Sequence, residues 1–220
     1  MSIATLILGQ SGTGKSTSLR NLNPSEVLLI QVVKKPLPFR SADWKPLTKE
    51  GGSIVVTDNP QQIMAIMNKS TRPIIVIDDY QYVMANEYMR RSQETGFAKF
   101  TEIGRSTWEI FTAAAQLADD KRVYILSHTE ESESGKTKIK TIGKMLDEKI
   151  TLEGMVTICL QTAIINEQHV FMTKNNGHNT VKSPIGLFEN EHVENDLNAV
   201  DKAICEYYGL TTESNQATEA

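Results

Sequence analysis

Hydrophobic positions in this chain fall into two kinds of stretch. Residues 3–8, 27–33, 53–57, 74–77 and 122–127 are short, nearly continuous apolar runs rich in Ile, Val and Leu. Runs of that length without alternation fit strands buried on both faces, as in a parallel sheet covered by helices. Between them lie longer amphipathic stretches. Ile63, Met64, Ile66 and Met67 fall on one helical stripe, with Asp58 or Asn59 as its cap and Pro60 in its first turn. A helix is also predicted from Lys15 to the stop at Asn23-Pro24, and residues 80–120 predict helix interrupted around Glu94-Thr95-Gly96. Residues 155–165 and 168–173 predict two strands joined at Asn166-Glu167. Residues 196–208 predict a last helix, with Leu197, Val200, Ile204 and Tyr207 on one face and Gly209 as its stop. Pro36 and Pro38 make their surroundings a loop, and the polar residues 128–144 predict a loop or an exposed hairpin. Strands alternating with helices predict an α/β fold with a mostly parallel central sheet flanked by helices.

The sharpest motif is Gly9-Gln10-Ser11-Gly12-Thr13-Gly14-Lys15-Ser16, which fits G-x-x-x-x-G-K-[ST] between a predicted strand and a predicted helix. Glycines there allow a compact loop whose N–H groups point inward at a polyphosphate, aided by the positive end of the following helix. Lys15 would bridge the β- and γ-phosphates, and Ser16 would hold Mg²⁺ through its hydroxyl. Thr17 completes the nucleotide-binding segment 9–17. A carboxylate closing a buried parallel strand reaches the ligand crevice of such a sheet, so Asp78 is the metal partner of Ser16. Asp79 would orient or activate the attacking water. His128 follows the strand at 122–127 and would face the γ-phosphate from a neighbouring strand end.

Composition narrows the classes. Hydrophobic residues make up 40% and charged residues 23% of the 220, which excludes global disorder and fibrous repeats. No apolar run approaches the roughly 18 residues of a membrane-spanning helix. Cys159 and Cys205 do not make a disulfide scaffold, and Met1-Ser2 leads straight into the first apolar run without a secretory pattern. A cytoplasmic protein without membrane partners is expected. The net charge of −4 is uneven: residues 187–220 carry eight acidic side chains against Lys202, a net of −7, so the remainder sums to +3. The expected organisation is a core at 1–188, an acidic segment with a helix at 189–210 and a disordered tail at 211–220.

With the phosphate loop, Asp78-Asp79 and Ser127-His128 in this order, the chain resembles the RecA-type core ATPases. Within that group it is similar to the small phage-encoded ATP-binding proteins of single-strand annealing and recombination. The residues carrying the resemblance are 3–17, Leu28-Leu29-Ile30-Gln31 with Lys35-Pro36-Leu37-Pro38-Phe39, and Lys182-Ser183-Pro184-Ile185-Gly186-Leu187-Phe188, over a span of 3–188. The resemblance implies a RecA-like P-loop NTPase core that binds ATP and Mg²⁺ in the host cytoplasm. It also implies a homo-oligomer on single-stranded DNA, with a single-strand-binding protein among its partners and hydrolysis that is slow without DNA. DNA would meet the segments at 90–105 and 128–149, the second through Lys136, Lys138 and Lys140 with Lys144 and Lys149 beyond, and the loop at 34–49 would add Lys34, Lys35, Arg40 and Lys45. Phe39 and Trp44 would be available to stack on bases. Lys182 would reach a neighbouring subunit's γ-phosphate. One departure stands out: relatives of this type end the second strand in a glutamate, whereas here it ends Gln31-Val32-Val33-Lys34.

Two other functions use the same loop. A small-molecule kinase acting on a nucleoside or nucleotide would need a closing arginine lid, for which Arg90, Arg91 and Arg105 are candidates. A guanine-nucleotide switch would need Asn-Lys-x-Asp, and Asn68-Lys69-Ser70-Thr71 fails at its last position.

Overall fold

A computed structural model describes residues 1–143, 146 and 149–210. Lys144 and the tail at 211–220 lie outside the described residues. The strands are β1 (Ile3–Gly9), β2 (Val27–Gln31), β3 (Ile54–Val56), β4 (Ile74–Asp78), β5 (Arg122–Glu131), β6 (Thr137–Ile139), β7 (Ile158–Ile165), β8 (Gln168–Met172) and β9 (His192–Glu194). The helices are α1 (Pro60–Lys69), α2 (Gln81–Arg90), α3 (Ala98–Ala115) and α4 (Leu197–Tyr208). The sheet order is β3-β2-β4-β5-β1-β7-β8-β9, with β6 paired to β5 off this path. From β3 to β7 every neighbouring pair is parallel, and β8 and β9 add antiparallel partners at one edge. The protein is an α/β fold built on a mostly parallel mixed sheet flanked by helices.

The unbroken apolar runs have a direct cause: alternate residues of each central strand enter different cores. Leu6, Leu8, Ile75, Ile77, Val123 and Ile125 pack with Ile63, Met67, Ile103, Ile110 and Phe111 of α1 and α3. Ile7, Ile74, Val76, Tyr124 and Leu126 face the other way, onto Leu19, Trp44, Leu187 and the α4 residues Leu197, Val200 and Ile204. With both faces dry, no strand position is left for a solvated side chain. The last helix is therefore part of the second core rather than an appendage. It begins at Asp196, whose carboxylate accepts from the N–H groups of Asn198 and Ala199, and stops at Gly209 in the left-handed conformation.

α1 matches its expected cap, with the Asn59 side chain accepting from Gln62 N–H and Pro60 in the first turn. Only Ile63 and Met67 of its expected stripe are fully buried, beside Pro60, while Met64 and Ile66 pack at the margin. Tyr207 of the expected α4 stripe is exposed instead of buried. The 128–144 region is a hairpin: β5 runs on to Glu131 and pairs antiparallel with β6. Asn166 and Glu167 form the tight turn between β7 and β8, both at positive φ, as a two-residue hairpin loop requires.

The segment after the phosphate loop departs from expectation. It is a 3₁₀ helix over Ser16–Asn21, not an α-helix running to Asn23. Ser16, Thr17 and Ser18 are poor helix formers, and the Ser18 hydroxyl bonds the Lys15 carbonyl at 2.6 Å, competing with the helical ladder. An i→i−4 bond from Ser18 N–H to Gly14 O at 3.0 Å leads into it. So short a turn adds little macrodipole, so an anion at this loop would be held mainly by the loop's own N–H groups.

Candidate nucleotide-binding site

The carboxyl ends of β1, β5 and β4 lie side by side. Gly9 pairs in register with His128, and Asp78 closes β4 one strand further along. At these ends a cavity of about 190 Å³ is lined by Ser11, Gly12, Gly14, Lys15, Ser16, Thr17, Lys35, Pro38, Asp79 and His128. That volume suits a polyphosphate chain more than a whole nucleotide. A second cavity of about 640 Å³ shares Thr17 with it and is lined by Arg20, residues 168–170 and residues 192–195.

The loop is held by contacts from strands distant in sequence. The Thr13 hydroxyl lies 2.6 Å from that of Thr162 on β7, and Nδ1 of His169 on β8 lies 3.0 Å from Thr13 O. The buried Asn195 amide packs against Gly14. Gly14 sits at φ 106°, which only glycine adopts without strain. Gly9 is needed for space: a Cβ there would lie 1.9 Å from Thr162 Oγ1 and 2.7 Å from Thr13 Oγ1. Gly9→Ala is therefore expected to cost about 1–3 kcal/mol of stability by overpacking and to displace the loop. Thermal melts and nucleotide calorimetry check this, and an unchanged melt with unchanged binding would contradict it.

Lys15 curls into the loop it belongs to. Its Nζ donates to Gly9 O and Gln10 O, both at 2.9 Å, and the residue is 5% exposed. Burial lowers its pKa to about 8, with the nearby Lys35 charge adding to the lowering, while Asp79 and Asp78 pull the other way. Ser16 Oγ donates to both oxygens of Asp78, at 3.1 and 3.0 Å. The two residues assigned to the metal thus converge across 62 positions of sequence. Burial, and then the Asp79 charge beside it, raises the Asp78 carboxyl to about 6, against Lys35, the Ser16 hydrogen bond and Lys15.

Asp79 stands at φ 47°, in the left-handed region, which turns its carboxylate into the cavity. Its Oδ1 lies 3.2 Å from His128 Nε2, and its Oδ2 is ion-paired with Lys35. Burial pushes this carboxyl up, but the His128 and Lys35 partners outweigh it and hold the pKa at about 2. The His128 ring also meets Tyr82 edge to face, with centroids 6.3 Å apart.

No protein-family model matches the chain, and no curated protein sequence matches it.

The residues present fit a nucleotide with its metal. The cradle excludes a Cβ at Gly9, a lysine lies inside it, and a hydroxyl–carboxylate pair closes one side. Among the described residues no three His, Cys, Asp or Glu side chains converge as a metal cluster. Mg²⁺ held beside phosphates needs only one or two protein groups, so Ser16 and Asp78 suffice. A metal held there would need the Asp78 carboxylate ionised. The Mg²⁺-dependent part of nucleotide binding is thus expected to be present above about pH 6 and to weaken as pH falls through that value. Titrating Mg²⁺ at fixed nucleotide on either side of that pH tests this, and equal metal affinity on both sides would refute it.

Other assigned residues lie elsewhere. Lys35, expected at DNA, instead lines the cavity at the Gly9–Thr17 loop; Lys34 and Arg40 are exposed on the neighbouring loop. Trp44 is 8% exposed and packs edge to face with Phe39 in the second core, so burial withdraws it from base stacking. Lys136, Lys138 and Lys140 alternate along the β6 hairpin opposite buried Ile139, with Lys138 ion-paired to Glu130 at 3.6 Å. Lys182 pairs its backbone with Cys159 in the body of β7 and does not line its own chain's cavity. The arginines considered for a kinase lid are engaged on α2 and α3: Arg90 with Asp58 and Glu87, Arg91 with Glu87, Glu94 and Glu102, and Arg105 with Glu109. Three of the acidic residues after 187 have structural partners: Glu194 with Arg20, Asp196 at its cap and Asp201 with Arg122.

Sequence reasoning missed Lys35 as a cavity residue, and Gln31, whose side chain anchors the Lys35 backbone. The absent glutamate after β2 was the available signal. Thr162, His169 and Asn195 carried no signal, since only sheet closure brings β7, β8 and the β9–α4 junction to the loop.

Proposed function

We propose that this protein is a Mg²⁺-dependent ATPase with a RecA-like core, which binds single-stranded DNA and supports recombination or strand annealing as an oligomer. The observation that carries the nucleotide reading is the Ser16–Asp78 contact beside the buried Lys15. Lys15 would turn from its loop carbonyls to the β- and γ-phosphates, and the N–H groups of residues 11–17 would hold the oxygens between them. Mg²⁺, held by Ser16 and Asp78, would neutralise charge on the β- and γ-phosphates. Asp79 would orient a water whose oxygen bonds the γ-phosphorus as the bond to the bridging oxygen breaks, its proton passing through Asp79 to the released phosphate. The cavity sharing Thr17 would receive the nucleoside.

Two features favour this reading over a kinase. β5 lies between the strands bearing the phosphate loop and Asp78, so His128, within β5 and in register with Gly9, meets Asp79. The kinase-lid arginines, by contrast, are committed to carboxylates away from the cavity. The DNA assignment rests on the resemblance and on the lysines of the β6 hairpin. Lys140 N–H donates to His128 O at 2.9 Å, which ties that basic strand to the phosphate-facing residue. The deciding experiment is ATPase activity with and without single-stranded DNA, with Lys15→Ala as the blank. Stimulation by DNA supports the reading. Phosphate transfer to a nucleoside or nucleotide in place of hydrolysis would favour the kinase, and no nucleotide turnover or binding would remove both.

A further inference from the structure

Facing Lys15, the phosphate cavity contains a second ammonium group with its own structural support. Lys35 lies on the turn after β2, and its backbone carbonyl accepts a hydrogen bond from Nε2 of the buried Gln31 at 3.1 Å. Val32 N–H donates to Asp78 O at 3.1 Å, tying the same turn to β4. The turn is therefore fixed across two strands, and its lysine enters the cavity beside Lys15, Ser16, Asp79 and His128. There Lys35 pairs with Oδ2 of Asp79, while Oδ1 faces His128. Both carboxylate oxygens are engaged and the side chain is 6% exposed, so water has little access to it while Lys35 is in place.

The two partners of this ion pair differ in freedom. The Asp79 side chain is 6% exposed on a backbone held by the hydrogen bond from Tyr80 N–H to Leu126 O, so its position is set. The Lys35 side chain is 40% exposed and has a flexible four-carbon stem. It can exchange one anionic partner for another within the same cavity at small cost, and Asp79 keeps His128 when it does.

We propose that Lys35 discriminates triphosphate from diphosphate: its ammonium leaves Asp79 for the terminal phosphate of a bound nucleoside triphosphate, and the exchange frees Oδ2 of Asp79 to take a water. This rests on the nucleotide-binding reading above. A diphosphate presents no oxyanion at the terminal position, so in that state Lys35 remains on Asp79. The water-orienting carboxylate is then uncovered only when there is a terminal phosphate to attack.

The test is calorimetry at saturating Mg²⁺ with the β,γ-imido analogue of ATP and with ADP, for the unaltered protein, Lys35→Ala, Lys35→Gln and Lys35→Arg. A charge-assisted contact to phosphate predicts that Lys35→Ala and Lys35→Gln lose about tenfold or more in affinity for the imido triphosphate. ADP affinity should change by less than about twofold, and Lys35→Arg should keep most of the preference. Equal losses for the two nucleotides, or no loss for either, would overturn the proposal. If Lys15→Ala removes binding while the Lys35 variants keep the triphosphate-to-diphosphate ratio, this inference alone falls. If the unaltered protein binds neither nucleotide, the nucleotide reading falls with it.

Discussion

Lys15→Ala is expected to lower nucleotide affinity by at least about a hundredfold while barely moving the melting temperature. The affinity loss follows from removing a buried cation that would meet phosphate oxygens through charge-assisted bonds worth about 1.5–3 kcal/mol each. Two such bonds account for the hundredfold. The small stability effect follows from two opposed terms. Truncation leaves Gly9 O and Gln10 O without their donor, which costs, but it also removes an ammonium whose burial is unfavourable enough to bring its pKa to about 8. Lys15→Met retains the packing of the stem and should bind as poorly as alanine. The same lowered pKa predicts a pH trend for the ligand-free site. Affinity for triphosphate should fall as pH rises past about 8, where the ammonium is lost. Calorimetry across that range reads it out. A binding curve for Lys15→Ala that overlays the unaltered protein would end the nucleotide reading.

At the opposite end of the sheet, Asp201→Ala should give the largest loss of stability. Asp201 of α4 receives Nε and Nη2 of Arg122, each at 2.9 Å, and the Tyr124 hydroxyl at 2.5 Å. Both charged side chains are 6% exposed. Burial first, and then the Asp201 charge, raises the Tyr124 hydroxyl well above its usual range. Removing the carboxylate strands the guanidinium in a dry environment, for which about 3–5 kcal/mol is the expected cost. In a chain of this size that lowers the melting temperature on the order of 10 °C. Replacing both partners, as in Arg122→Met with Asp201→Leu, should recover most of the loss because no unpaired charge remains. Circular-dichroism melts of the two variants beside the unaltered protein decide it. A loss below about 1 kcal/mol for Asp201→Ala would mean that water reaches the guanidinium. The pair starts β5 rather than ending it, so the folded fraction of Asp201→Ala should bind nucleotide normally.

Much of the fold was legible because local and global demands agree. Short continuous apolar runs bounded by turn residues fit buried strands, and each run from 3–8 to 122–127 contains or overlaps a strand, although β3 at the sheet edge is only partly buried. Asn59 with Pro60, Asp196 and Gly209 mark their helix ends through bonds made within a few residues. Where a competing local interaction was overlooked, the expectation failed. The Ser18 hydroxyl diverts the Lys15 carbonyl, and the expected α-helix after the phosphate loop becomes a 3₁₀ turn.

The candidate site divides in the same way. Glycines, a lysine and a hydroxyl at fixed spacing, followed by a carboxylate at a strand end, are a one-dimensional record of the proposed phosphate cradle, and the sequence alone determined them. Which basic residues face that cradle was decided only by tertiary structure. Lys34 and Lys35 are indistinguishable as neighbours in a charged loop, yet the Gln31 side chain and the β2–β4 pairing turn one of them onto Asp79. Likewise, Asp201 reads as one more charge in an acidic segment until α4 docks and buries it against Arg122. Spacing along a chain reports contacts within a turn or a strand, whereas partners 44 or 79 residues apart are chosen by how sheet and helices close on one another.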